Sequence, residues 1–379
     1  MSFLDKLPKP FFVLAPMDDV TDTVFRQIIA DCAPPDLYFT EFVNVDGLQS
    51  PGREHLLHKL RFSPKEKPII AQLWGLNPDN FYKTARELKD GTLVDEIEYL
   101  RARNPHSSKV QGSQEKRARR IDDTMSEPRT TLTPQFTENI GRVAGLASKQ
   151  ANALRFSGID LNMGCPVKTV IKNGACAALI NNRELAGEII EATREGVGKD
   201  FPVSLKTRVG FTTSDLSWFK FLLPKKLDLL SIHGRTARQK PQVLADWGFI
   251  SEVRELRDLL CPSTKIVGNG DIVSRAQGLE LAGKYKLDGI MIGRGVFNDP
   301  FIFAGNSPWP NWSKQQKLEL YRKHVELFAQ TWEKGERRTE TLNKFYKVYV
   351  SGFDGAKELR EKLMRAKSTQ ELLISLSTP

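Results

Sequence analysis

Gly158-Ile159-Asp160-Leu161-Asn162-Met163-Gly164-Cys165-Pro166-Val167-Lys168 is the stretch on which the reading of this chain turns. Residues 159–163 are mostly apolar but interrupted by Asp160 and Asn162, the pattern of a buried strand ending in a polar mouth. Gly164 lets the backbone turn sharply, and Pro166 fixes the next φ and stops the strand. Cys165 sits between them, on a rigid turn just past a strand. A thiol there can act as nucleophile, general acid or metal ligand, or it can be a small buried hydrophobe.

Outward from this stretch the same strand-and-helix unit recurs. Residues 11–15 read as a buried strand closed by Pro16, and Asp22 as the N-cap of a helix running toward Cys32. Strands follow at 37–42 and 69–74, with a short helix at 54–60. Pro78 suits the first turn of a helix over 79–88. Beyond residue 134 the spacing predicts helices over 137–155, 183–197, 214–223, 247–260 and 274–284, separated by strands over 159–163, 203–209, 229–233, 265–268 and 289–292. Eight strands alternating with helices predict an α/β fold, a (β/α)8 TIM barrel, over an open doubly wound sheet. No G-x-G-x-x-G follows the first strand, which removes the main sign of a Rossmann unit.

Composition bounds the function. A chain of 379 residues with 40% hydrophobic content can bury one large core and a smaller second unit. No run approaches the roughly 20 apolar residues of a membrane span, and the start Met1-Ser2-Phe3-Leu4-Asp5-Lys6 lacks a secretory apolar run. Cys32, Cys165, Cys176 and Cys261 are scattered without a C-x-x-C pair. That argues against a disulfide framework and a zinc site, and for a reducing, cytoplasmic setting. A formal net charge of +10 points to a polyanionic partner without identifying one.

Two regions depart from the alternation. Residues 89–134 are polar and lack a sustained period. Within 101–120 they carry Arg101, Arg103, Lys109, Lys116, Arg117, Arg119 and Arg120 against Glu115 alone. This reads as a mobile, solvated insertion in the barrel, or as a basic arm that touches phosphates. From 308 onward Leu318, Tyr321, Val325 and Phe328 fall at helical spacing, as do Leu342, Phe345, Val348 and Tyr349. Gly352 and Gly355 then precede a last helix from Ala356. Residues 310–379 hold 14 Lys/Arg against 9 Asp/Glu, an excess of five that is half that of the whole chain. The expected organisation is therefore a catalytic barrel at 1–307 and a small all-helical domain at 308–379 with a nucleic-acid-binding surface.

Barrels of this kind place reacting groups at the carboxyl ends of their strands. Those points hold Pro16 and Met17, Glu41, Gln72, Asn162 with Cys165, Lys206, His233, Asn269-Gly270-Asp271 and Gly293-Arg294. Gly268-Asn269-Gly270 and Gly293-Arg294-Gly295 follow the seventh and eighth strands, where barrels commonly bind phosphate, and Arg294 adds a charge-assisted clamp. Gln72 offers an amide to the edge of a planar ring, and Lys206 a cation near electron-rich ring atoms. A phosphate to one side and a ring at the centre describe a flavin mononucleotide site.

The motifs together resemble one family. Ala15-Pro16-Met17 with Val20-Thr21-Asp22 and Phe25-Arg26, Thr40-Glu41-Phe42, Ala71-Gln72-Leu73 and Asp160 to Pro166 are similar to the tRNA-dihydrouridine synthases. So are Lys206 to Gly210, His233-Gly234-Arg235-Thr236, Gly268 to Ile272 and Met291 to Gly295. The resemblance spans about 11–303, and the helical tail resembles the family's C-terminal RNA-binding domain.

That resemblance implies an FMN enzyme that uses NADPH to reduce a tRNA uridine to 5,6-dihydrouridine. It implies that Pro16, Met17 and Asp18 line the flavin, that Gln72 and Lys206 bind its ring, and that His233 packs beside it. Asn269, Gly270, Asp271, Gly293 and Arg294 would hold the ribityl-phosphate end. Cys165 would be the general acid, delivering a proton to uracil C5 after hydride addition at C6. Asn162 would face the uracil, and Arg235, Thr236 and Arg238 would lie in a loop that approaches substrate. The partners implied are tRNA and NADPH, with no membrane, no metal and a monomeric chain. The 89–134 insertion exceeds the family pattern, and Cys176 stands where the family usually has a small residue; it reads as packing. The alternative enzyme is a flavin barrel acting on a free pyrimidine, dihydroorotate dehydrogenase-like, which the basic tail disfavours. An RNA-binding protein with a vestigial barrel is disfavoured by the intact Cys165, Lys206 and His233.

Overall fold

The computed structural model describes residues 2–102 and 154–377. Its centre is eight parallel strands: β1 (Phe11–Leu14), β2 (Tyr38–Asn44), β3 (Ile69–Trp74), β4 (Gly158–Met163), β5 (Val203–Arg208), β6 (Leu229–His233), β7 (Lys265–Asn269) and β8 (Gly289–Ile292). They pair in the order β1-β8-β7-β6-β5-β4-β3-β2. A parallel bridge between Val13 and Leu37 joins the two ends, with Leu14 N–H donating to Leu37 O and Leu37 N–H to Phe12 O, both at 3.2 Å. The ring is thus closed, as the alternation predicts. Helices on the outside cover the strands, which explains why β1, β4 and β8 are buried along their whole length.

The helices begin where the sequence supplies an oxygen for the free N–H groups of a first turn. Asp22, Asn182, Asp215, Asp246, Ser274 and Ser313 each accept such a hydrogen bond. At the amino end of the barrel a 3-10 turn over Phe3–Lys6 drives Leu4 into an apolar cluster with Phe11, Val13, Phe39, Ile70 and Leu229. That end is plugged by side chains, which leaves the carboxyl end for chemistry.

Three helical expectations are corrected. The aperiodic stretch from 89 begins with a helix, Thr92–Ala102, separated from the preceding Pro78–Asp90 by Gly91 at φ +86°. Residues 103–153, with most of the basic insertion and the helix expected over 137–155, lie outside the described residues. In the tail, Leu342, Phe345 and Val348 line a 3-10 turn over Thr339–Phe345 and one α-turn over Tyr346–Tyr349. Their spacing of three matches the 3-10 repeat better than the α repeat. The last helix is two, Ala356–Arg365 and Thr369–Ser377, because Ser368 Oγ accepts from Glu371 N–H (3.2 Å) and starts a new turn.

Residues Met1–Lys89 and Phe156–Pro379 form one compact unit, and Asp90–Arg155 a second. In the second, Leu93, Val94 and Ile97 are buried, and Arg155 pairs with Asp95 at 3.2 Å. In the first, the tail helix Lys314–Thr331 packs on the barrel helix Thr23–Cys32. Phe25 lies 4.8 Å from the Phe345 ring and 5.9 Å from the His324 ring, centre to centre. Trp332 Nε1 donates to Asp22 (3.1 Å), and Arg337 reaches into the barrel to bond Glu41, which no solvent touches. Burial pushes the Glu41 carboxyl up, so Arg337 and Glu41 depend on each other.

Removing one partner of such a pair is costly: Arg337→Ala is expected to lower unfolding free energy by about 3–5 kcal/mol. Lys323→Ala, at a pair with Asp31 (2.7 Å) whose lysine is half exposed, is expected to cost under about 1 kcal/mol. Guanidinium unfolding followed by circular dichroism compares them. Equal, small losses would show that Arg337 is not an anchor between tail and barrel.

Candidate active site

At the carboxyl end of the strands lies a cavity of about 750 Å³. Pro16, Met17, Lys206, His233, Arg235, Asn269, Gly270, Asp271, Gly293 and Arg294 all line it, as do Arg208 and Pro166. These residues come from every part of the chain and meet because parallel strands end together. Gln72, Asn162, Asp18, Cys165, Thr236 and Arg238 lie outside that lining.

The loop after β1 is held tightly. Met17 N–H donates to Thr21 Oγ1 (2.8 Å), and Val20 and Thr21 N–H return to Met17 O. Asp18 points outward and pairs with Lys59 at 2.5 Å. Asp19, at φ +55°, donates its N–H to Glu41 (2.7 Å). Asp18, Asp19 and Glu41 are close enough to share a cation, yet Lys59, Lys344 and Arg337 already face them.

Cys165 is half-buried beside this loop. Its N–H and that of Gly164 donate to Asn162 Oδ1 (3.0 and 3.1 Å), which pins the turn. Arg208 Nε donates to Gly164 O (2.7 Å), and its Nη1 to Thr236 O (2.9 Å), so one buried guanidinium ties two loops together. The Cys165 thiol falls to about 7, chiefly because the Cys176 thiol donates a hydrogen bond to it. The Val167 N–H and the Arg208 charge act the same way, and burial and Asp18 oppose them. Cys176 is correspondingly raised and keeps its proton. Cys176 is buried, 1% exposed, as the packing role expects, and at φ +53° it also lies beside the Cys165 thiol, which sequence spacing did not signal.

The centre of the mouth is cationic. Burial and the nearby Arg208 bring Lys206 down to about 8, with Asp160 and Cys165 opposing, so it remains charged at neutral pH. His233 falls to about 2 through burial and the surrounding Lys206, Arg208, Arg235 and Arg294, so it is neutral. Arg235 Nη1 lies 3.2 Å from His233 Nε2 and can only donate, which assigns the ring proton to Nδ1.

The far side is shaped by β7 and β8. Asn269 Nδ2 donates to Met291 O (2.8 Å). Gly270 sits at φ +134°, and a Cβ there would come within 2.6 Å of Ala245 Cβ. Asp271 accepts from Arg235 Nη2 at 2.6 Å through both oxygens, from Ala245 N–H (3.0 Å) and from Arg294 (3.2 Å). Burial works against its charge, but these donors outweigh burial and hold its carboxyl below the usual range. The Asp271 carboxylate is thus engaged with protein groups. Arg235 and Thr236 are buried, each 2% exposed, and the Thr236 N–H is taken by Gln239 (2.8 Å). In that loop Arg238 is exposed, over the Phe211 ring at 5.0 Å. Gln72 is fully buried and Asn162 nearly so, both in a hydrogen-bonded chain beneath the mouth. With Lys206, Arg208, Arg235 and Arg294 around one carboxylate, the cavity suits an anionic ligand.

Residues 13–99 and 107–378 match the family model described as dihydrouridine synthase. A protein of Staphylococcus aureus (strain COL) named probable tRNA-dihydrouridine synthase is 37% identical over 374 residues, covering 98% of this chain and 93% of that protein. Probable tRNA-dihydrouridine synthase 2 of Bacillus subtilis (strain 168) is 36% identical over 374 residues, covering 98% and 94%. Likeness to solved structures is lower: morphinone reductase bound to tetrahydroNAD aligns at 15–16% identity, with TM-scores of 0.40 and, for a point variant, 0.41. Among the described residues no helix is long and apolar enough to cross a membrane. Matched by the family model over most of its length and by relatives over nearly all of it, the chain belongs to the dihydrouridine synthase family of oxidoreductases.

Proposed function

We propose that this chain reduces the C5–C6 double bond of a uridine in tRNA to 5,6-dihydrouridine, with FMN bound in the cavity and NADPH as the electron source. The observation that carries the reading is the half-buried Cys165 thiol, pinned at the same barrel mouth as a cation-lined cavity. Family membership favours a tRNA uridine over a free pyrimidine.

The residues present fit FMN. Gly270 and Gly293 line the cavity at that side, and Arg294 and Arg235 give it the charge a phosphate needs. Lys206 brings a fixed cation to the middle, and neutral His233 brings an Nδ1–H. Reduced FMN, when bound, supplies the hydride that adds to uracil C6. Negative charge then grows toward C5 and the O4 carbonyl, and Cys165 delivers its proton to C5. The thiolate left behind is stabilised by Cys176 S–H, Val167 N–H and Arg208, the groups that bring the thiol to about 7. Holding the thiol on a turn pinned by Asn162 and Arg208 makes proton delivery a matter of prior positioning.

The target uridine must leave its stack, at a cost of a few kcal/mol offset by pocket contacts and backbone attraction. Residues 308–379 are read as the tRNA-binding part. Lys347, Lys357, Lys362 and Arg365 there are exposed, and among the described residues they make no ion pair. Residues 1–307 are read as the catalytic barrel, with its insertion at 89–134.

Two outcomes are expected. Purified protein given FMN, NADPH and tRNA lacking dihydrouridine should form it, read by mass spectrometry of the digested tRNA. Free uridine under the same conditions should stay unchanged; turnover of free uridine and none of tRNA would overturn the substrate assignment. Because Cys165 must start as a thiol, the single-turnover rate should fall as pH rises through about 7. Cys176→Ala removes the hydrogen bond that lowers the thiol and should move that fall to higher pH. A profile flat from about pH 6 to 9, or unmoved by Cys176→Ala, would contradict the assignment.

A further inference from the structure

One buried carboxylate takes no direct part in this chemistry. Asp160, on β4, is 0% exposed and lies beneath the mouth. Strand register sets Gln72 of β3 and Ser204 of β5 on either side of it. Ser204 Oγ donates to Asp160 Oδ1 and Gln72 Nε2 to Oδ2, each at 2.6 Å. Asn162 Nδ2 donates to Gln72 Oε1 at 3.2 Å, and Asn162 Oδ1 accepts the N–H groups of Gly164 and Cys165.

The sense of this chain is forced from one end. An ionised carboxylate only accepts, so Gln72 must turn its nitrogen toward Asp160. Its oxygen then faces Asn162, which must answer with nitrogen. That leaves the Asn162 oxygen, and no other end, to meet the two N–H groups of the thiol turn. Were either amide reversed, a donor would face those N–H groups and the turn would lose both bonds.

We infer that Asp160 is a positioning residue for Cys165: its negative charge fixes the orientation of the Gln72 and Asn162 amides, and through them the turn that carries the thiol. Its value to the reaction rests on the reading of Cys165 as the acid. Lys206 also faces Asp160, so a test must separate the relay from that charge.

The test reads the thiol itself. The rate of Cys165 alkylation by iodoacetamide is followed by peptide mass spectrometry in the full chain, together with single-turnover reduction of tRNA. Asp160→Asn puts an amide, which can present nitrogen as well as oxygen to Gln72, where an obligate acceptor stood, so the sense of the chain is no longer forced. It is expected to change the alkylation rate, and to slow turnover, by about tenfold or more. In an Asn162→Ala background the same substitution should change alkylation less than about twofold, because the relay is already cut. Equal factors in both backgrounds would overturn the inference. Gln72→Glu combined with Asp160→Asn moves the ionised acceptor one place along, where it still faces the Asn162 nitrogen. This pair should return alkylation to within about twofold of wild type; failure to do so also overturns the inference, and the pair serves if Asp160→Asn alone does not fold. Should Cys165→Ala turn over tRNA as fast as wild type, the acid reading fails, while the alkylation cycle still decides whether Asp160 governs the turn.

Discussion

Parallel pairing around a closed ring sends the carboxyl ends of eight strands to one opening, and the lining of the cavity follows from that convergence. Lys206, His233, Asn269 and Cys165 are far apart in sequence, yet each needs to travel only to the end of its own strand. The amino end is plugged by Leu4, Phe11 and their neighbours. The cost of convergence is that polar and charged side chains enter the barrel interior, where each must find a partner. Asp160 with Gln72 and Ser204, and Arg208 with two carbonyls, are how the interior meets that demand.

Charge placement divides the mouth. Burial, with the cations that ring the cavity, keeps His233 neutral, and the side suited to a phosphate-bearing cofactor carries fixed positive charge. On the other side the Cys165 thiol lies near neutrality in pKa because another thiol, and not a base, supports it. The loop between them, Met17 to Asp22, is held from the tail: Arg337 and Lys344 face Asp19, Arg337 bonds Glu41, and Glu41 accepts the Asp19 N–H. Tail and mouth are therefore one mechanical piece, although 296 residues separate Arg337 from Glu41.

The strands were legible because each is a short apolar run ended by Gly, Pro or a polar residue, and their number and alternation with helices decide the barrel. The helix start at Asp22 was legible as a capping oxygen ahead of an apolar run, while the caps at Asn182 and Ser274 emerge only in the structure, the helices after them having been legible by spacing. Most of the cavity lining was legible by position at strand ends, since position there implies convergence. What the sequence did not disclose is what each side chain is already bonded to. Arg235 and Thr236 look like loop residues free to meet a substrate, but the loop folds back and buries them against Asp271 and Gln239. The Cys165–Cys176 contact and the Arg337–Glu41 pair depend on tertiary approach, which periodicity does not encode. The 3-10 segment of the tail escaped for a different reason: three- and four-residue spacings overlap over so short a run.

The claim on which the rest depends is that the Cys165 thiol and the cavity serve one bound base. Single-turnover reduction of unmodified tRNA by flavin-loaded, pre-reduced protein compares Cys165→Ala with wild type most directly. A rate lower by about 100-fold or more, with the bound flavin spectrum unchanged, is the expected result. Equal rates in the two proteins would contradict it.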